Sequence, residues 1–167
     1  MKLARQTVIN APASEVWRVV AHDFAKIGTW ATAVPKSVIN TDVSIPEGAQ
    51  VGGRICSVNG FGDIYETFTA YDEAGKTYTF EAVGMPFFVT SAHNTWQVKA
   101  IDQNTTHVSY EVEMKLMPIF NFLMSLPMKF QLNGLLDKTT EELKYFIEEG
   151  VPHPRKQKQL AKSVSTA

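Results

Sequence analysis

Glu66 is the residue whose surroundings raise a chemical question. In YETFTAYDEAGKTYTFEAV (65–83), one alternating set of positions holds Thr67, Thr69, Thr77, Thr79 and Glu81. The other set holds Phe68, Ala70, Tyr78, Phe80 and Ala82, and Glu66 with them. A carboxylate on an aromatic face is partly dehydrated, and burial disfavours its charged form. Three uses are open to it: a structural ion pair, with Arg54 as the partner, a hydrogen bond to a ligand hydroxyl, or general acid–base work on an enolisable ketone. Turn length separates these cases. A two-residue turn at Asn59–Gly60 pairs Val58 with Phe61 and sends Arg54 to the outer face beside Tyr65, whereas a three-residue turn sets Arg54 opposite Glu66.

Other polar groups share that inner face. A turn near Asp102–Asn104 pairs Val98 with Val108 and Trp96 with Tyr110, and leaves Asn94 opposite Val112. Tyr78, Asn94 and Tyr110 then carry hydroxyl and amide groups that need partners when buried. Together with Glu66 they suit a hydrophobic ligand with a polar tip. The remaining candidates are weak. His22, His93, His107 and His153 are scattered, with no metal-ligand spacing, so no metal site is expected. Cys56 is the lone cysteine and has no catalytic histidine in reach of its pattern. Gly52–Gly53 lacks the lysine and hydroxyl residue of a phosphate-binding loop.

The elements that must position these groups follow from periodicity. Residues 3–10 read as a strand, and Pro12 suits a helix start before Val16, Trp17, Val19 and Val20. Asp23 is placed to cap a second short helix carrying Phe24, Ile27 and Trp30. Residues 34–43 and 51–58 read as strands. A type I turn over Asp72–Gly75, with Gly75 left-handed, would pair Asp72 with Lys76, Ala70 with Tyr78, Phe68 with Phe80 and Glu66 with Ala82. Alternation over these strands predicts an antiparallel sheet with one wet and one covered face. The cover is a helix from Pro127 to Gly150 whose stripe holds Met128, Leu132, Leu135, Leu136, Thr139, Leu143, Phe146 and Ile147.

Composition narrows the function classes. The chain has 167 residues, 44% hydrophobic and 20% charged, with a formal net charge of −1. That is one domain's length, and it gives no electrostatic reason to expect nucleic acid. No apolar run approaches the roughly 20 residues of a membrane span. The polar start and single cysteine point to a reducing cytoplasm. Residues 151–167 carry two prolines, Arg155, Lys156, Lys158 and Lys162 and few bulky apolar residues, so a flexible basic tail is expected after a domain spanning 1–150.

The order strand, two short helices, six strands and long C-terminal helix resembles the helix-grip fold of the START/SRPBCC superfamily. VINAPASEVWRVVAHDFAKIGTW is similar to that superfamily's opening, and VGGRICSV with YETFTAYDEAGKTYTFEAV resembles the centre of its polyketide cyclase/dehydrase branch. The resemblance implies an α+β fold, a curved antiparallel sheet of about seven strands around a long C-terminal helix. It also implies a cavity for a lipid-, polyketide- or aromatic-like molecule, with no cofactor. Trp30, Arg54 and Glu66 are the positions that match the family pattern. The lining expected is Trp30, Glu66, Phe68, Tyr78, Phe80, Asn94, Trp96, Tyr110, Leu132 and Leu136.

One end of the sheet gathers the connections 59–62, 84–88 and 116–127. GMPFF and LMPIFNFLMSLP are strongly apolar there. They read either as a short helix closing the cavity end or as a ligand portal at Met85, Phe87 and Phe120 that also touches a membrane surface transiently. Three functions therefore stand: binding of a small hydrophobic molecule, a cyclase, dehydratase or isomerase using Glu66, and a protein-interaction module built on the apolar end.

Overall fold

The computed structural model describes residues 1–58 and 62–165. Seven strands form one antiparallel sheet: β1 (Lys2–Ile9), β2 (Lys36–Ile39), β3 (Gly53–Val58), β4 (Gly62–Asp72), β5 (Thr77–Val83), β6 (Val89–Ala100) and β7 (Thr106–Leu116). Their spatial order is β1-β7-β6-β5-β4-β3-β2. Helix α1 (Ala13–Trp17) follows β1, and α2 (Pro118–Glu149) and α3 (Pro154–Ser165) end the chain. This is the α+β helix-grip architecture, with a seven-stranded sheet against a long C-terminal helix.

Register follows the alternation of the sequence closely in the centre. Trp96 faces Tyr110, Val98 faces Val108 and Asn94 faces Val112. Glu66 faces Ala82 and Phe68 faces Phe80. Beyond Phe68 the expected pairing fails, because a bulge between Phe68 and Ala70 advances β4 by one residue. Tyr71 now opposes Tyr78, and Asp72 opposes Thr77 rather than Lys76. The left-handed residue of the turn is Lys76 (φ 48°) and not Gly75. Asp72 instead accepts a hydrogen bond from the Gly75 amide at 2.8 Å. An extra residue of this kind turns the following side chains over. It brings Tyr71 to the inner face, 5.7 Å from the Trp17 ring.

The segment between β1 and β2 is less regular than two α-helices. After α1 comes a π-helical turn (Arg18–His22) and then a 3-10 helix (Phe24–Thr29). Asp23 precedes the latter but makes no side-chain cap. Its carboxylate is taken by Arg18 (2.7 Å) and Lys26 (2.8 Å). Strand β2 is four residues long, shorter than the 34–43 expected.

Helix α2 begins nine residues before Pro127, which lies inside it. The amide that Pro127 lacks would have met the carbonyl of Leu123, on a side of the helix where Leu123 and Leu126 are exposed. Met117 and Pro118 make the actual start, and Gly150 (φ 72°) ends the helix in the left-handed region where a Cβ is disfavoured. The C-terminal half of α2 lies along β1. Arg5 bonds Asp137 and Asn133, and Lys144 Nζ donates to the Val8 carbonyl at 2.7 Å. Leu136, Leu143 and Ile147 are buried as the stripe predicts, whereas Leu135 is exposed.

Residues 154–165, expected from composition to be flexible, form α3 and dock on the fold. Lys156 is fully buried, and its ammonium donates to the carbonyls of Ala31 and Val34, both at 3.0 Å, and to Gln159. Beside it the fully buried Glu142 carboxylate accepts from the Thr32 amide, the Thr32 hydroxyl and Arg155 Nε. A buried charge is tolerable when its bonds are met in this way. A composition argument counts apolar residues and misses a segment held by polar groups 125 positions apart in sequence.

Candidate functional site

The interior divides into two unequal parts. The larger is built by Trp17, Phe24, Ile27 and Trp30 against Phe68, Tyr78, Phe80 and Trp96. Its rings meet at 4.4–6.4 Å, and Tyr78 donates its hydroxyl to the Val20 carbonyl at 2.8 Å. The cavity among Val19, Val20, Phe24, Ile27, Trp30, Arg54, Tyr78 and Trp96 is about 10 Å³. That is room for one water molecule. Of the expected lining, Trp30, Phe68, Tyr78, Phe80 and Trp96 belong to this packed half, and Trp30 is 3% exposed.

The smaller part lies under the first half of α2. Its buried members are Ile64, Ala82, Ala92 and Met114, and Met85, Val89, Leu116, Met128 and Leu132 pack against them only partly buried. Ala82 and Ala92 are small, and the side chains packed over them include the adaptable Met85 and Met128. Glu66 stands directly beside Ala82 in the sheet, and Asn94 follows Ala92 by two residues on the same face of β6. Leu136 is buried, whereas Leu132 is half-buried.

The Glu66 question is answered by register. Val58 pairs with Gly62, so three residues separate the strands and Arg54 lies opposite Glu66. The Asn59–Gly60 turn itself lies outside the described residues. Gly53 admits β4 closely, since a Cβ there would stand 2.4 Å from the Glu66 carbonyl. Arg54 Nε donates to Glu66 Oε2, the two side chains being 6% and 14% exposed. Arg54 Nη1 donates to the Phe24 carbonyl at 2.7 Å, and its guanidinium carbon lies 3.8 Å from the Phe24 ring centroid. Burial works against the guanidinium charge, but the neighbouring Glu66 outweighs it and raises the Arg54 pKa. Cys56 lies 3.7 Å from Glu66 Oε2, and burial first, then that carboxylate, push its thiol up to about 12. A thiol so placed is no nucleophile at neutral pH.

One oxygen of the pair is spent and the other is not. Among the described residues Glu66 Oε1 meets no hydrogen-bond donor of the protein. Tyr110 donates its hydroxyl to Asn94 Oδ1 at 3.2 Å and stacks on Trp96 at 4.2 Å. Burial and then the Glu66 charge raise the Tyr110 pKa, so the phenol stays protonated and donates. Asn94 Nδ2 has no acceptor among the described residues. The smaller part of the interior is thus bordered by an acceptor on Glu66 and an amide donor on Asn94 that have no protein partner among the described residues.

Near the start of α2, Phe88 and Phe120 stack at 5.2 Å, and Phe87 meets both edge-to-face at 5.6 and 5.4 Å. Phe87 is exposed, and Met85 and Phe120 are half-buried. The 116–127 stretch is therefore the beginning of α2 and not a separate short helix. No group of histidine, cysteine or carboxylate side chains among the described residues could hold a metal ion. No helix among them is long and apolar enough to cross a membrane.

A cluster the sequence reading missed lies at the far end of the sheet. Glu73 accepts from Trp17 Nε1 and the Tyr71 hydroxyl, each at 2.8 Å, and meets His22 Nε2 at 3.1 Å. Burial alone would raise the Glu73 pKa, but these bonds more than offset it and hold the carboxyl low. Only the β4 bulge brings Tyr71 there, and nothing in the alternation announces it.

A curved seven-stranded antiparallel sheet against a long C-terminal helix is the helix-grip fold of the START/SRPBCC superfamily. Residues 1–148 match the family described as polyketide cyclase/dehydrase and lipid transport, and the chain belongs to that family. The protein XoxI from Bacillus cereus superposes with a TM-score of 0.68 at 18% identity, covering 87% of this chain and 94% of that one. Norcoclaurine synthase from Thalictrum flavum, a point mutant bound to a transition-state analogue, gives 0.65 at 14% identity over 90% and 95%. The di-domain aromatase/cyclase BexL gives 0.61 at 17% identity, covering 87% of this chain and 47% of that one. At such identities the likeness is one of fold. No curated protein sequence matches significantly.

Proposed function

We propose that this protein binds a small hydrophobic molecule with a hydroxyl or carbonyl tip in the half of its interior between Ala82, Ala92 and α2. The observation that carries the reading is the pairing of small and half-buried apolar side chains with two polar groups that lack protein partners. Met128 and Leu132 roof the alanines, while Glu66 Oε1 and Asn94 Nδ2 border them without protein partners among the described residues. Trp30, Phe68, Tyr78, Phe80 and Trp96 serve this site as its rigid wall, and Met85, Phe87 and Phe120 as its mouth. Membership of a family that includes lipid transport, and structural kinship with cyclases, support a ligand of this class.

The catalytic reading is carried less far. Glu66 as a general acid or base would have to work with Oε2 bound by Arg54, which leaves Oε1 alone to reach a substrate. The interaction-module reading finds its surface at the apolar end of α2.

The test is native mass spectrometry after incubation with a hydrophobic metabolite extract, on the natural protein and on Ala92→Leu. A discrete added mass that the natural protein carries and Ala92→Leu loses, with folding intact, is the expected result. If Ala92→Leu instead unfolds by about 1–3 kcal/mol, as overpacking of a dense core does, and no mass is ever added, the space does not exist and the reading fails. A bound mass that converts with time would move the assignment to an enzyme.

A further inference from the structure

The outer face of α2 carries a feature that the pocket does not use. Ile119, Phe122, Leu123, Leu126 and Phe130 follow one another at the spacing i, i+3, i+4, i+7, i+11, which is one side of a helix. In a core helix that side would be buried. Here Phe122 is 87%, Phe130 83% and Leu126 79% exposed, and Phe87 from the β5–β6 connection is 78% exposed at the same end. The opposite side of the same turns, at Met124, Met128 and Leu132, faces the protein half-buried. Residues 119–132 are therefore apolar on both sides, and among the described residues only one side has a protein partner.

Charge narrows what could cover the stripe. Between Lys115 and Asp137 the chain holds no acidic residue, and Lys129 is its only charge, on the flank of the stripe. The adjoining connection 84–88 is uncharged. Asp63 is the acidic residue at this end, and it is engaged by the Ser57 hydroxyl at 2.8 Å. An apolar ridge flanked by Lys129 and with no carboxylate along it complements an anionic lipid surface: the rings enter the acyl boundary while the ammonium stays at the headgroups. A second copy of the chain fits less well. The ridge is about 17 Å long and one helix wide, a footprint of a few hundred Å² against the roughly 800 Å² per partner of a stable interface. Symmetry would also set one positively charged ridge against another.

We propose that the N-terminal half of α2, with Phe87, is a docking surface for an anionic membrane, laid flat along the interface by Phe122, Leu126 and Phe130. Docking sets the Met85–Phe87–Phe120 end against the lipid, so an apolar molecule can pass between bilayer and interior without crossing water. The docking surface stands independently of what the interior binds.

Flotation of the full chain with lipid vesicles decides it. The vesicles are phosphatidylcholine alone, or phosphatidylcholine with about a third phosphatidylserine, at low and at high salt. The expected result is association with the anionic vesicles that weakens with salt, and a fall of about ten-fold or more in Phe122→Asp/Phe130→Asp. Lys129→Glu should lower anionic binding by about five-fold or more while leaving neutral vesicles unaffected. Ile39→Asp, an exposed aliphatic on β2, should change nothing and controls for general stickiness. All these positions are exposed, so the fold is expected intact, as circular dichroism checks. Failure of the natural protein to float with either vesicle overturns the proposal. So does a concentration-dependent dimer in analytical ultracentrifugation that Phe122→Asp/Phe130→Asp abolishes, because the stripe would then be covered by a second copy.

Discussion

Removing the Glu66 charge tests whether this carboxylate is chiefly architecture. Glu66→Gln leaves the Arg54 guanidinium, 6% exposed, facing a neutral amide. Breaking a buried pair from one side costs about 3–5 kcal/mol because the survivor stays charged and unpaired. Two supports remain to Arg54 here, the Phe24 carbonyl at 2.7 Å and the Phe24 ring, and the glutamine oxygen can still accept from Nε. The expected loss is therefore at the low end, about 2–3 kcal/mol. For a chain of this length that lowers Tm by about 5–10 °C. Arg54→Met should cost at least as much, since it also deprives the Phe24 carbonyl of its donor. The double variant Arg54→Met/Glu66→Leu should be more stable than either single one, because no charge is left stranded. The assay is thermal and urea denaturation of all four proteins, read as a double-mutant cycle. A Glu66→Gln protein melting within about 1 °C of the natural one would refute the structural pair, as would a double variant whose loss equals the sum of the two. In either case Glu66 would be free for chemistry, and the catalytic reading would regain its ground.

Two further outcomes are expected. Glu73 has its pKa held below the ordinary carboxyl value by Trp17, Tyr71 and His22, so its contribution is present above the unfolded pKa near 4.5 and is lost as pH falls below it. Glu73→Gln should therefore flatten the acid limb of a Tm-against-pH curve, and an unchanged limb would show that these bonds do not contribute. Burial, partly offset by Glu142, lowers Lys156 to about 8, so between about pH 8 and 10.5 the folded protein holds fewer protons than the unfolded chain and stability rises with pH across that window. Lys156→Met should abolish that rise and, by leaving the Ala31 and Val34 carbonyls without their donor, speed hydrogen exchange throughout α3. Unaltered exchange there would mean that α3 is held by Glu142 and Arg155 alone.

How much of this was legible beforehand varies element by element, for physical reasons. Wherever a strand alternates strictly and its turn is short, side chains have a period of two and a partner strand allows one register. The pairings Trp96–Tyr110, Asn94–Val112, Phe68–Phe80 and Glu66–Ala82 follow from that alone, as does the inner-face position of Glu66. The long C-terminal helix and its Gly150 terminus were equally written in the pattern of residues 128–150. Local signals misled where a cheap exception exists. Pro127 removes a single hydrogen bond on a wet face, so the helix runs through it, and one unpaired residue at the β4 bulge was enough to carry Tyr71 to Glu73.

What the tertiary structure alone decided is everything that depends on distance between elements remote in sequence. Whether Arg54 meets Glu66 hung on one residue of turn length, since a shift by one position sends a side chain to the other face. Lys156 is buried because carbonyls at residues 31 and 34 converge on it, and no composition rule can see that. The packed half around Trp30 and the loose half over Ala82 and Ala92 have similarly apolar sequences. They differ because large aromatic rings interlock in one, whereas in the other two small side chains are covered by the flexible, half-buried Met128 and Leu132 of α2.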